Sequence, residues 1–167
     1  LSAAAGPADE AIHDQLRQTV VLVESAINSG DYEKMLPALS NELRATPITQ
    51  EFISGKEAVV PYFKKWFGED KFLKRLTIKL TADARTELSP DRSGGVVYGT
   101  GLEKYQLNDG RSYDIPTRWT ATVVPEEGSW KIRSIHFGTN FVDNPLINEA
   151  TAAIDKMMYA AGAGGIA

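Results

Sequence analysis

Past Gly68 the apolar residues stop recurring every three or four positions and begin to alternate. Leu76, Ile78 and Leu80 interleave with Thr77, Lys79 and Thr81, and this period of two continues to Gly138, which is the spacing of strands. Its clearest part is Thr117 to Gly138, TRWTATVVPEEGSWKIRSIHFG, two apolar strands joined by the polar turn Pro125-Glu126-Glu127-Gly128. Val96 to Leu107 supplies another strand, bounded by the loop Ser89 to Gly95 and by Asn108-Asp109-Gly110, where glycine can take a positive φ. Four or five antiparallel strands are expected from this half of the chain.

The first half has the other period. Ile12, Leu16, Val20, Val23 and Ile27 draw one stripe on a helix from Asp9 to Ser29, stopped by Asn28-Ser29-Gly30. Asp31 can cap a second helix carrying Met35, Leu36 and Leu39, which Pro37 keeps short or kinked. Leu43 to Ile48 reads as a brief strand. Ser54 and Glu57 stand at capping-box spacing ahead of Val59, Val60, Phe63, Trp66 and Phe67, so a third helix is expected from Ser54, kinked at Pro61. Asn144-Pro145 ends the sheet region, and Ile147 to about Ala160 is a last helical stretch.

Helices followed by antiparallel strands make an α+β pattern, with the helices covering one face of a strongly curved sheet. The expected organisation is a leader or linker over 1–8, one domain over 9–145, and a C-terminal helix and tail over 146–167. In the last strand strict alternation puts Trp130 and Ile132 on one face and Ile135 and Phe137 on the other. With both faces apolar, a homodimer through the sheet is expected.

Composition removes several classes of function. Eighteen Lys and Arg against 22 Asp and Glu give a net charge of −4, with no long-range attraction for nucleic acid. With no cysteine there is no disulfide, thiolate nucleophile or sulfur-ligated metal. Neither histidine, His13 nor His136, has a partner at zinc-site spacing, so no metal is expected, and His136 reads as a structural histidine at the sheet interface. Gly162 to Ala167 matches a dinucleotide fingerprint by letter but follows a helix rather than a strand, so no cofactor is expected. Gly99-Thr100-Gly101 marks a bulge or sharp sheet curvature rather than a phosphate cradle. Ala3 and Ala5 match the spacing of a secretory cleavage site, so an exported or periplasmic location stands beside a cytoplasmic one. The apolar end from Met157 is too short to span a bilayer, and a membrane anchor would need the natural chain to continue past Ala167.

The order of elements, with the helix "SGKEAVVPYF" and the closing strand "GSWKIRSIHFG", resembles the nuclear transport factor 2-like superfamily over about Asp9 to Pro145. That superfamily includes ketosteroid isomerases and SnoaL-like polyketide cyclases. The resemblance implies a cystatin-like cone: a curved sheet wrapped over the helices, a pocket at the open end, and frequent dimerisation through the sheet. It does not fix an activity. The isomerases use a tyrosine and a protonated aspartic acid as an oxyanion hole and a second aspartate to move the proton. The resemblance puts Val23, Thr46 and Arg118 at those places, and none can do that work. A slip of one residue would bring Glu103, Asp114 or Trp119 forward instead.

The remaining candidates suit binding. Arg118 facing the cone interior would be a fixed cation requiring a carboxylate partner, with Arg133 as a second. Thr46, Tyr62, Phe63, Trp66, Tyr98 and Phe137 complete the pocket candidates. The expected function is a noncatalytic binding or accessory domain for a small acidic or amphipathic molecule. The alternatives are a SnoaL-like or epoxide-hydrolase-like enzyme acting on a small hydrophobic substrate, and an interaction module whose pocket is filled, with Arg118 paired to Glu103 or Asp114.

Overall fold

The computed structural model describes residues 6–163. The proposed cleavage site at Ala3 and Ala5 and the last four residues of the glycine-rich tail lie outside the described residues.

Helix α1 spans Pro7–Ser29. Pro7 opens it, where its missing N–H has no partner to lose, and Gly30 closes it at φ 76° with its own N–H on the Ile27 carbonyl at 3.1 Å. The second helix is a 3₁₀ stretch, Tyr32–Ala38, with Pro37 inside it. β1 follows at once as Leu39–Thr46, four residues earlier than the apolar pattern suggested. The third helix begins later than Ser54. A 3₁₀ turn at Lys56–Ala58 leads into α2, Val59–Trp66, so Pro61 falls in the first turn, where no backbone hydrogen bond is forfeited.

The remaining strands are β2 (Ile53–Ser54), β3 (Leu73–Ala82), β4 (Glu87–Leu88), β5 (Gly95–Leu107), β6 (Ser112–Glu126) and β7 (Ser129–Thr139). One curled sheet runs in the order β2-β1-β7-β6-β5-β3, with β4 also on β5. All neighbours are antiparallel except β1 and β7, which run parallel with Ala45 opposite Ile135 and Thr46 opposite His136. α3, Pro145–Ala163, starts on Asn144, whose Oδ1 accepts the N–H groups of Leu146 and Ile147 at 3.1 Å each. No helix among the described residues is long and apolar enough to cross a membrane.

α1 lies across the concave face and also closes the free edge at β3. Asn28 Oδ1 accepts from the Ile78 N–H at 2.7 Å while its Nδ2 donates to the Ile78 carbonyl at 3.1 Å, and Glu24 Oε1 accepts from the Leu80 N–H at 2.5 Å. Two side chains thus take the place of a neighbouring strand. Behind them the core fills with Leu43, Ala45, Leu76, Ile78, Trp119 and Ile132, Leu43 being 1% exposed.

The two apolar sets of β7 do not face opposite ways. Between Thr122 and Val123 the ladder with β6 skips a residue, pairing Ser134 with Thr122 and Ile132 with Val123, so Arg133 is extra. This bulge resets the alternation: Trp130 and Ile132 point inward before it, and Ile135 and Phe137 pack against the core after it. Arg133 is held outward by Glu42, whose Oε2 accepts its Nη2 at 2.9 Å and whose carbonyl accepts its Nη1. The convex face therefore carries Tyr98, Thr100, Lys104, Arg118, Thr120 and His136, with Val96 and Leu102 as its exposed apolar residues. Ile135 and Phe137 are turned inward and supply no outward apolar patch for the expected dimer.

Candidate functional site

Two adjoining cavities lie between α1 and the concave face, sharing Val23, Leu80, Ile132 and Ile135 in their walls. The smaller, about 100 Å³, sits under α2 and the segment after β1. Its walls are aliphatic apart from Tyr62, Glu103 and Tyr105 at the polar positions and Phe63 and Phe137 as aromatic surfaces. Phe63 is fixed by a stack on Tyr32 at 4.3 Å between ring centres, and the row continues through Phe67 to Tyr105.

Glu103 is the chemical centre of this cavity. The inward phase of β5 runs Gly99, Gly101, Glu103, Tyr105, Leu107, and Glu103 is 3% exposed. Its carboxyl accepts the Tyr105 hydroxyl hydrogen bond. Burial raises the Glu103 pKa, against the opposing pull of the Tyr105 hydrogen bond. The Thr117 hydroxyl, buried opposite Gly101, makes no hydrogen bond of ordinary geometry among the described residues. Burial likewise pushes up Tyr105, further raised by the Glu103 charge, and pushes Tyr62 up to about 12. A carboxyl in these surroundings favours its neutral form, in which it can donate a hydrogen bond as well as accept one.

The mouth is crossed by Pro47 to Phe52. Pro47 and Ile48 line the cavity, Thr49 Oγ1 meets the Tyr62 hydroxyl at 3.1 Å, and Glu51 accepts hydrogen bonds from Lys65 and the Trp66 indole. The Lys65 contact, then the Trp66 one, holds the Glu51 carboxyl below the usual range despite some burial.

Of the residues expected at the site, Tyr62, Phe63 and Phe137 come together on the cavity wall, and Trp66 packs beside them at the mouth. Thr46, Tyr98, Arg118 and Arg133 do not join them. Arg118 lies on the convex face, 61% exposed, with its Nη2 on Asp83 Oδ2 at 2.6 Å. The reason is phase: in β6 Thr117 and Trp119 point inward, so Arg118 between them points out. Thr46 and Tyr98 share that outer face with His136 and Thr120, and the Tyr98 hydroxyl reaches Glu87 at 3.3 Å. Asp114 is also outside, 3.5 Å from Lys104. Neither acid pairs with Arg118. The buried ionisable group of this cavity is an acid, not a base, and the signal for it was the in-phase run of Glu103 with Tyr105 and Leu107.

Gly99 allows the inner wall to close. A Cβ there would stand 2.0 Å from the Thr81 carbonyl and 2.7 Å from the Trp119 ring. The bare backbone lets that indole lie on β5 and donate to the Thr100 carbonyl at 2.8 Å. Of the two features expected at these glycines, a bulge or sharp sheet curvature, the bulge is absent, since β5 keeps an unbroken register with β6 through this stretch.

Among the described residues no cluster of three or more His, Asp or Glu side chains could hold a metal ion. Residues 16–139 match the SnoaL-like domain family. No curated protein matches the sequence. Among solved structures, a hexachlorocyclohexane dehydrochlorinase is similar at 15% identity and a TM-score of 0.64, over 80% of this chain and 86% of that one. A scytalone dehydratase candidate from Novosphingobium aromaticivorans is similar at 12% identity and a TM-score of 0.64, over 80% and 87%. The association domain of the C. elegans protein CaMKII aligns at 16% identity and a TM-score of 0.55, over 79% and 96%. At these identities the likeness is one of fold.

Proposed function

The chain belongs to the SnoaL-like domain family, and from that premise we propose that it binds a small, uncharged, largely apolar molecule in the cavity at Glu103. The observation that carries this reading is a single carboxyl, 3% exposed and with no cation beside it among the described residues, in walls otherwise made of aliphatic and aromatic side chains; burial raises its pKa and so shifts it toward the neutral form. Such a group recognises a carbonyl or hydroxyl by donating to it, with the Tyr62 hydroxyl as a second contact. An anionic ligand finds no cation here, because Arg118 and Arg133 are on the far side of the sheet. The volume, below the roughly 150 Å³ of an apolar cavity that holds benzene, favours molecules the size of small ketones.

A size series from acetone to cyclohexanone, with phenol, benzoate and benzylamine for comparison, tests this by thermal shift. A neutral ligand at 100 times its dissociation constant stabilises by about 2.7 kcal/mol, and Glu103→Leu is expected to lose most of that response. If the benzoate response at neutral pH is as strong as the ketones' and is lost in Glu103→Leu as theirs is, or if nothing neutral stabilises the wild type, the proposal fails and the reading of a filled interior gains.

The same carboxyl favours a second reading, an enzyme of proton transfer. A buried glutamate whose pKa is raised is, once ionised, a stronger base than one in water and can remove and return a proton, and dehydrochlorinase and dehydratase are names carried by structural neighbours. Loss of deuterium from the α-carbons of a bound ketone, abolished in Glu103→Gln, would select this reading; exchange at the uncatalysed rate in the wild type would reject it.

Self-association through the convex face is also a proposal, resting on the exposed Val96 and Leu102. Sedimentation of the wild type beside Leu102→Lys tests it: a monomeric wild type rejects it.

A further inference from the structure

The second cavity, about 290 Å³, lies further toward the start of α1 and has the opposite chemistry. Its body is apolar, with Leu16, Val20, Val97 and Trp119 among its walls, and its titratable lining groups are His13, Arg17 and Arg85. All three are bases. The carboxylates that meet the two guanidiniums, Asp14 for Arg17 and Glu10 for Arg85, stand outside that lining with side chains 63% and 43% exposed. Each is a surface pair of the kind worth about 0–1 kcal/mol, so another carboxylate can take up either guanidinium at little cost. The hydroxyl side chains Thr19 and Thr86 also belong to the lining.

We infer that this cavity is a separate binding site for an apolar monocarboxylate, its hydrocarbon body against Trp119 and α1 and its carboxylate among His13, Arg17 and Arg85. Three features support the assignment: an apolar body, a basic rim where Arg17 and Arg85 reach solvent, and guanidinium forks that suit a planar carboxylate. The volume is on the order of twice that of a benzene-sized cavity, which fits a medium-chain acid. The site is independent of the Glu103 proposal, because the two cavities select opposite ligands.

The probes are octanoate and its uncharged isostere octanamide, followed by nuclear magnetic resonance. The Trp119 indole N–H reports on this cavity, and Tyr62 and Phe137 report on the other. Octanoate is expected to shift the Trp119 signal and to bind at least tenfold more tightly than octanamide. In Arg17→Gln/Arg85→Gln, two exposed substitutions that leave the fold intact, octanoate falls to the affinity of octanamide while octanamide is unchanged. Equal binding of the two probes by the wild type overturns the inference, as does unaltered octanoate binding by the variant. So does an octanoate response confined to Tyr62 and Phe137, or none at Trp119 up to the solubility limit of the acid. A ketone response at Tyr62 and Phe137 stands or falls separately.

Discussion

On the concave side of β5 and β6 the successive residues are Glu103, Tyr105, Ile115, Thr117 and Trp119, all buried; one position along, on the convex side, are Lys104, Asp114, Arg118 and Thr120, all exposed. The same backbone carries both sets, yet its charges behave differently on the two sides. Arg118 and Asp83 meet in water, where a pair contributes little. Glu103 is taken out of water with no cation beside it among the described residues, and burial raises its pKa. The inner face is thus where a single charge can become chemistry, and the outer face is where charges are solvated.

The most direct way to break this contrast is to shift the phase of β7 beyond the bulge. One residue inserted between Ser134 and Ile135 turns Ile135 and Phe137 toward the convex side, whereas deleting Arg133 removes only the bulge and leaves Trp130, Ile132, Ile135 and Phe137 in one inward phase. At about 1.5–3 kcal/mol for a fully buried side chain, and with both of these partly buried, the loss on insertion is expected at up to roughly 3–6 kcal/mol by denaturant unfolding. Leu43→Ala, at a site 1% exposed, is expected to cost about 2–5 kcal/mol by the same measurement, whereas Thr120→Ala on the other face costs under about 0.5.

Glu103→Gln sharpens the contrast through pH. Burial raises the folded-state pKa above the unfolded value, so the folded chain keeps its proton to higher pH. The stability this group provides is fully present below the unfolded pKa, near 4, and is lost as pH rises through the folded one. The wild type should therefore lose stability relative to Glu103→Gln over that interval, read by chemical denaturation at several pH values. Parallel pH profiles would mean that Glu103 is not desolvated. The smallest effect is expected of Arg118→Ala: under about 1 kcal/mol, with unchanged ligand responses in both cavities. A larger loss would give the convex face a role that its exposure does not suggest.

Much of the fold could be read from spacing alone. The stripe from Ile12 to Ile27, the long strands and the end of the sheet region at Asn144-Pro145 come from local rules, and α1 and α3 appear within a few residues of expectation. What spacing could not supply was phase after an irregularity. Nothing local in Ile132-Arg133-Ser134 announces the extra residue, whose origin lies in the pairing with β6 and β1. The same dependence on register decided the site: the family pattern aligned Arg118 with an inward position, and its two inward neighbours are Thr117 and Trp119. Tyr62 and Phe63 do lie on the cavity wall, because they sit on a helix whose inward face follows from its own sequence.

The parallel pairing of β1 with β7 sets an order of assembly. Before Ser129–Thr139 has been synthesised, β1 has only the two residues of β2 beside it, and Leu43 has no sheet to be buried against. The N-terminal half must therefore wait, with an apolar strand uncovered, until the last strand arrives some ninety positions later. A ribosome-bound chain truncated ahead of β7 is expected to be protease-sensitive and to recruit chaperones, and release of β7 is the moment at which both should end.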